Sequence, residues 1–554
     1  MRDGTKLSAN VYLPKEKGSF PAVLNRTPYG KDSKGRFTAA STFVANGYVV
    51  VQMDVRGRGN SEGTFNPYFQ EVEDGYDSIE WVASRNWCNG NVGTIGSSYE
   101  GALQLSSMRL RPPHHKAAFI KCTPSLHPFR DCSGYTSGVY LLIISMWYFY
   151  TSGKTVKDEI SEPNFDWESL LYTRPLNKIF SELGLDGQPF LERFEHLKFD
   201  SYLKKLWEDD MSKLVDVPSY FVSGWFDDAL KGAIDHFSQV SKINPAMRKK
   251  QKLMIGPWAH RLSTDSSRLG DFDFTPDSIV LLDKEALRWF DYWLKDEENG
   301  IMDESQVRLF VMGVNRWAEF TDYPTSQNNQ YELLLGSDGI ANGLSGKGKL
   351  SAYHDGMVSS SFIYDPKLPL PAPYWREQFQ CGTNEDLRFI QRRDDVLVFT
   401  SEPLHSPLDV IGNVEAELYV STSALDTDFF ARLSDVHPSG YAMRLGHGIS
   451  RLRYRFGYEK SHLVSPGEVV KINIDLWATG NRFLPGHSIR LEVSSSAFPV
   501  FAPNFNTGGN PWEEVEPVVA EQTVYHSQRH PSKLILSVAT KVDFTAGPQD
   551  RCEF

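Results

Sequence analysis

The stretch Gly96-Ser97-Ser98-Tyr99-Glu100-Gly101 constrains this chain more than any other. It follows the short run Val92-Gly93-Thr94-Ile95 and precedes the helix-favouring Ala102-Leu103-Gln104-Leu105. A strand, a sharp turn with Ser98 at its tip, then a helix is the arrangement that lifts a serine hydroxyl clear of a sheet. A hydroxyl is a weak nucleophile, so a base must be able to reach it. Gly96 permits the tight bend, and Gly101 lets the helix close on the sheet. The helix start directs free N–H groups toward a developing oxyanion. Position 100 departs from the usual G-x-S-x-G spacing, which has glycine where this chain has Glu100. Taken alone, a plain Gly/Ser turn is the competing reading.

The context of this turn is a run of strands and helices. Ala22–Asn25 and Tyr48–Asp54 read as buried strands, with helix over Thr38–Ala45 between them and another over Asp77–Ala83. Val- and Ile-rich strands alternating with helical patterns argue for a largely parallel sheet. From Leu126 to Val215 the pattern becomes helical and amphipathic, as in Leu176–Leu183 and Tyr202–Trp207. Strand signals return at Ser219–Gly224 and Gln251–Gly256, followed by a helix over Asp283–Leu294. After Gln306 short alternating strands dominate, which suggests a β-sandwich or jelly roll. The division read from this is a catalytic part over 1–125 and 216–305, a helical cap over 126–215, and a β domain over 306–554.

Composition removes several classes of function. A net charge of −12 and no long basic block leave no footprint for nucleic acid; Arg248-Lys249-Lys250 reads as a solvated helix end. The longest apolar run, Val139–Tyr150, falls short of the roughly 20 residues that span a bilayer and reads as a buried helix, or one lining an acyl pocket. Five scattered cysteines without C-x-x-C spacing argue against a disulfide framework or a zinc site, and for free thiols in a reducing compartment. His114-His115 reads as surface loop. No signal peptide is visible before the first strand, so the expected location is cytoplasmic unless a natural segment precedes Met1.

Two further strand-end loops carry the partners a serine needs. Gly224-Trp225-Phe226-Asp227-Asp228 supplies an acid and Gly256-Pro257-Trp258-Ala259-His260 a base, in the chain order Ser, acid, His. His260 would take the Ser98 proton and return it to the leaving group, while Asp227 would fix the imidazole tautomer. Asp228 is the rival acid. In Asp54–Gly63 the glycines read as a turn region, with Asp54 and Arg56 pairing internally, since no phosphate-binding glycine pattern is present.

These motifs together resemble the cocaine-esterase-like and X-Pro dipeptidyl-peptidase hydrolases, the CocE/NonD group. Arg26-Thr27-Pro28-Tyr29-Gly30-Lys31 is similar to the family's R-T-P-Y-x-K, and Asp54–Gly63 to its D-x-R-G-x-G-x-S-x-G. Its elbow is written G-x-S-Y-x-G, which accommodates Glu100. Asp426-Thr427-Asp428-Phe429, Leu484-Pro485-Gly486-His487 and Asn504–Gly508 extend the resemblance to the far end. The resemblance implies an α/β-hydrolase core, an inserted helical cap and a C-terminal jelly roll of galactose-binding-like type. It implies a triad of Ser98, Asp227 and His260, with the Tyr29 hydroxyl and the Tyr99 backbone N–H in the oxyanion hole. Trp147, Trp225, Phe226 and Trp258 are candidates to line an acyl or leaving-group pocket.

The expected reaction is cleavage of a carboxylic ester or amide through an acyl-enzyme, with a small-molecule substrate and no metal or cofactor. Alternatives are an X-Pro dipeptidyl-peptidase, an α-amino-acid ester hydrolase, an acyltransferase and a catalytically silent binding protein. Enzymes that read a free α-amino group need carboxylates beside the triad. Here Asp228 is followed by Ala229-Leu230, which favours an apolar acyl group, with Asp131 still available to contribute. The oligomeric state is left open, a homodimer included.

Overall fold

The computed structural model describes residues 1–125, 134–157, 166–206, 216–323, 328–354, 356, 358–372 and 386–545. Its centre is a ten-stranded sheet. In spatial order the strands are Ala9–Tyr12, Val49–Asp54, Phe20–Thr27, Cys88–Ser97, His115–Lys121, Ser219–Phe226, Gln251–Ala259, Val307–Val311, Arg316–Phe320 and Phe544–Thr545. Neighbours from Val49–Asp54 through Val307–Val311 pair in parallel. Every residue of Val49–Asp54, Ser219–Phe226 and Gln251–Ala259 is buried, as expected of parallel strands covered on both faces. Helices Lys34–Ala45, Glu71–Ala83, Tyr99–Met108, Leu230–Ile243 and Leu282–Lys295 are interleaved with these strands along the chain.

Beyond this sheet the chain is mostly β. Twelve described strands, from Asn328–Ser337 to Lys533–Ala539, form a second sheet, largely antiparallel. Motif residues here hold its interior together. Asp428 and Asp426 pair with Arg451 and Arg453 at 2.8 and 2.7 Å, and Asn504 Nδ2 donates to both carboxylates. Val307–Val311 and Arg316–Phe320, which follow the expected boundary at 306, hydrogen-bond into the central sheet.

Several local expectations change. The inserted segment is not all helical: Tyr135–Thr136 and Val139–Tyr140 form a small hairpin before the helix Ile144–Tyr150. The apolar run Val139–Tyr150 is therefore split rather than one helix. Its backbone is captured from the C-terminal side, with Leu142 N–H donating to Val500 O at 2.8 Å and Ala502 N–H to Tyr140 O at 2.9 Å. His115 is buried at the start of a strand, 2.8 Å from Thr94 Oγ1, while His114 pairs with Glu80 at the surface. Arg56 does not pair with Asp54. It binds Asp74 and Asp3, and Asp54 accepts from the Lys31 backbone N–H. Cys88 and Cys122 are free and buried; Cys132, Cys381, Cys552, Asp131 and Trp207 lie outside the described residues. Among the described residues no helix is long and apolar enough to cross a membrane.

Candidate active site

Ser98 sits between the strand Cys88–Ser97 and the helix Tyr99–Met108, with φ 62° and ψ −126°. A non-glycine residue held there costs about 1–3 kcal/mol, so the surroundings must enforce it. The Ser98 N–H donates to Lys121 O at 2.9 Å, which fixes the turn to the adjacent strand. Close approach explains the flanking glycines: a Cβ at Gly96 would lie 2.5 Å from Glu100 Cβ, and one at Gly101 3.0 Å from Lys121 O.

The three strand-end loops converge. His260 Nε2 lies 2.9 Å from Ser98 Oγ, and His260 Nδ1 lies 2.7 Å from Asp227 Oδ1. Asp227 is cradled by Ser223 Oγ–H at 2.6 Å on Oδ2 and Ala229 N–H at 2.9 Å on Oδ1. Burial works against the Asp227 carboxylate, but His260, the Cys122 thiol and Ser223 together hold it below the usual range. Burial also disfavours the imidazolium, yet Asp228 and Asp227 outweigh it and push His260 up to about 10. Such a chain can pass a proton from Oγ to Nε2 while the carboxylate stabilises the cation.

Tyr29 completes the polar surround. Its hydroxyl interacts with Ser98 and accepts from Trp147 Nε1–H at 3.1 Å. Burial raises the phenol above its ordinary value, so it stays a donor. Tyr99 opens the helix behind Ser98, and its own hydroxyl donates to Glu71 Oε1 at 2.9 Å. Among the aromatic candidates, Trp147 stands at the site through Tyr29, with Tyr99 5.4 Å away ring to ring. Trp225 and Trp258 are tied elsewhere: their indole N–H groups donate to Phe310 O at 2.6 Å and Ser278 O at 3.2 Å. Phe226 packs on Phe274 and under Arg444.

Two supporting groups escaped the sequence reading. Glu100 is buried and accepts from the Arg36 guanidinium, which also donates to Asn25 Oδ1 at 2.6 Å and Thr27 Oγ1 at 2.8 Å. Thr27 Oγ1 in turn accepts from Tyr29 N–H at 3.0 Å. The residue that breaks G-x-S-x-G thus links the elbow to the Tyr29 turn, and a carboxylate inside an elbow was the available signal. Arg58, fully buried, donates to the carbonyls of Pro28, Thr151 and Gly153, joining the Tyr29 turn to the chain that follows Trp147. No local pattern marks it.

Metal-ligand residue types gather at two places among the described residues: Cys122, Asp227 and His260, and Asp435, His437 and His487. The first is the acid cradle already described. In the second, the Asp435 oxygens are taken by His487 Nδ1 at 2.7 Å and Asn481 Nδ2 at 3.1 Å.

Comparison with known proteins agrees in extent with this architecture. Residues 3–261 match the family model for X-Pro dipeptidyl-peptidase (S15 family), and residues 299–535 the model for the X-Pro dipeptidyl-peptidase C-terminal non-catalytic domain. Cocaine esterase of Rhodococcus sp. (strain MB1 Bresler) is 32% identical over 569 residues, covering 97% of each chain. An aminopeptidase from the marine sediment archaeon Thaumarchaeota archaeon superimposes with a TM-score of 0.86 at 26% identity, covering 98% of this chain and 95% of its own. An alpha-amino acid ester hydrolase superimposes with a TM-score of 0.86 at 25% identity, covering 97% and 95%. With that likeness running through nearly the whole length of both its catalytic and its C-terminal parts, the chain belongs to the CocE/NonD family of hydrolases.

Proposed function

We propose that Ser98, His260 and Asp227 form a catalytic triad that cleaves a carboxylic ester of a small molecule. The observation that carries the reading is the continuous contact from Ser98 Oγ through His260 to Asp227, at 2.9 and 2.7 Å. The chain is an ester-hydrolysing enzyme, in keeping with its esterase relative. Ser98 Oγ attacks the carbonyl carbon as His260 Nε2 takes its proton. The Tyr29 O–H and the Tyr99 N–H serve the oxyanion. The tetrahedral species collapses, His260 protonates the departing alkoxide, and an acyl-Ser98 ester remains. Water then attacks that ester with His260 as base, releasing the carboxylic acid and restoring Ser98.

A neutral acyl group is the favoured substrate. An ammonium-reading pocket needs a carboxylate beside the serine, and the nearby acids are already engaged: Glu71, which accepts from Tyr99, with Arg26 at 2.7 Å, Glu100 of the elbow with Arg36, and Asp228 at 3.0 Å from His260 Nδ1. The segment 126–215 would then act as the cap over Ser98, supported by the Trp147–Tyr29 bond. A jelly-roll arrangement of the C-terminal strands is the finer reading that their antiparallel pairing supports. Two buried free thiols support a reducing, cytoplasmic setting.

The test compares rates on a 4-nitrophenyl ester of a neutral acyl group and on a Xaa-Pro anilide, with Ser98→Ala as blank. Ester turnover without anilide cleavage is expected. Anilide cleavage that depends on Ser98 would replace this reading with the peptidase one.

A further inference from the structure

The acid side of the relay holds more carboxylate than one imidazole requires. Asp227 and Asp228 are neighbours and both are buried, at 1% and 4% exposure. Adjacent residues ordinarily diverge, but here the strand ends in a turn, with Asp227 N–H donating to Gly224 O and Leu230 N–H to Asp227 O, each at 3.1 Å. Both carboxylates consequently reach the same atom. His260 Nδ1 is 2.7 Å from Asp227 Oδ1 and 3.0 Å from Asp228 Oδ1. Their other partners differ. Asp227 has Ser223, Ala229 and the Cys122 thiol, whereas Asp228 Oδ1 is buried outside any well-formed hydrogen bond, with the His260 ring and the Asp227 carboxylate beside it.

We propose that Asp228 is a positioning residue for His260, a second carboxylate acceptor of the Nδ1–H that can hold the imidazole when Asp227 loses its charge. This rests on the assignment of Ser98 and His260 above. The groups facing the pair are few. Asp227, His260 and Cys122 lie on the catalytic side; across a small cavity stand Arg444 and His447 of the strand Ala442–Arg451. Burial drives His447 well below its ordinary value, so it stays neutral, and Arg444 is the one permanent cation among these groups. Burial, with Asp227 adding to it, holds Asp228 above the usual carboxylate range. Removing the Asp227 charge relieves that repulsion and leaves Asp228 as the anion at Nδ1.

The experiment is a cycle of Asp227→Asn, Asp228→Asn and the double variant, with kcat and KM measured on the 4-nitrophenyl ester. In a site with a single acid, Asn costs about 10⁴ in kcat. Here Asp227→Asn should retain a kcat about tenfold or more above the double variant, with KM unchanged. Asp228→Asn removes a charge that favours the imidazolium, so the acid limb of kcat/KM should move to lower pH. A purely structural Asp228 would leave that limb in place. A double variant no worse than Asp227→Asn, or an unmoved limb in Asp228→Asn, would overturn the proposal. Should the double variant not fold, Asp227→Asn decides alone: a loss under about a thousandfold supports it, a larger one overturns it. Ser98→Ala reads the parent assignment separately. Activity surviving that change sinks the relay itself; an inactive Ser98→Ala with Asp227→Asn as impaired as the double variant sinks only the role of Asp228.

Discussion

Removing one oxygen atom from Tyr29 separates a catalytic hydroxyl from a structural one. In the Tyr29→Phe protein the donor beside Ser98 disappears and the ring stays. Loss of one oxyanion donor costs about 10²–10³ in kcat, equivalent to roughly 2.7–4 kcal/mol of transition-state stabilisation. KM should hold, because a donor aimed at the oxyanion serves the ground-state carbonyl poorly. The same change leaves Trp147 Nε1–H without its acceptor at 3.1 Å. A buried unsatisfied donor costs about 1–3 kcal/mol of stability. Adding Trp147→Phe removes that orphan donor, so the double variant should recover stability while its kcat remains low. Initial rates on the 4-nitrophenyl ester and urea unfolding read the two quantities independently. A Tyr29→Phe enzyme within about threefold of the parent kcat would refute the oxyanion role. A rate recovered together with stability in the double variant would show that the loss came from packing.

The remaining predictions are more direct. Ser98→Ala should lower kcat by about 10⁴ or more with the fold intact by circular dichroism; a tenth of the parent rate would remove Ser98 from the mechanism. Glu100→Gln should destabilise the chain by about 2–3 kcal/mol, below the usual cost of breaking a buried pair because Arg36 keeps some solvent contact. Unchanged urea unfolding would show that the pair is dispensable. His260 is raised from 6.5 to about 10, so ester kcat/KM should have its acid limb above 6.5, rising as the imidazole is freed. The same shift contributes stability that is complete below 6.5 and fades as pH climbs toward about 10. A limb at or below 6.5 would contradict the influence of the two carboxylates.

Ser98, Asp227 and His260 could be read from the chain because each comes directly after a strand whose last few residues include a glycine, Gly96, Gly224 and Gly256. What determines their placement is local. The supporting contacts are not local, and they were not legible. Glu100 meets Arg36 across 64 positions and Arg58 meets Thr151 across 93. Trp225 and Trp258 are tryptophans like Trp147, yet their indole N–H groups donate to carbonyls at Phe310 and Ser278 while that of Trp147 donates to the Tyr29 hydroxyl. Only tertiary position decides which acceptor each indole finds. The broken helix at Val139–Tyr150 fails for the same reason. Its apolar pattern suits a helix, but residues 500–502 claim its first backbone groups.

The extension of the central sheet past residue 306 limits how this protein can be divided. The strand that leads to His260 has Val307–Val311 as its next neighbour, and that strand is followed by Arg316–Phe320 and Phe544–Thr545. Met312 N–H then donates to Gly480 O at 2.8 Å, and Arg482 N–H to Met312 O at 2.9 Å, so the outer part is stitched to the sheet in both directions. A chain cut at 306 would strip the base-bearing strand of one of its two partners and leave a raw hydrogen-bonding edge. The edge of the sheet that carries the base is thus built from residues on both sides of 306, so unfolding of the outer strands would loosen the His260 strand as well.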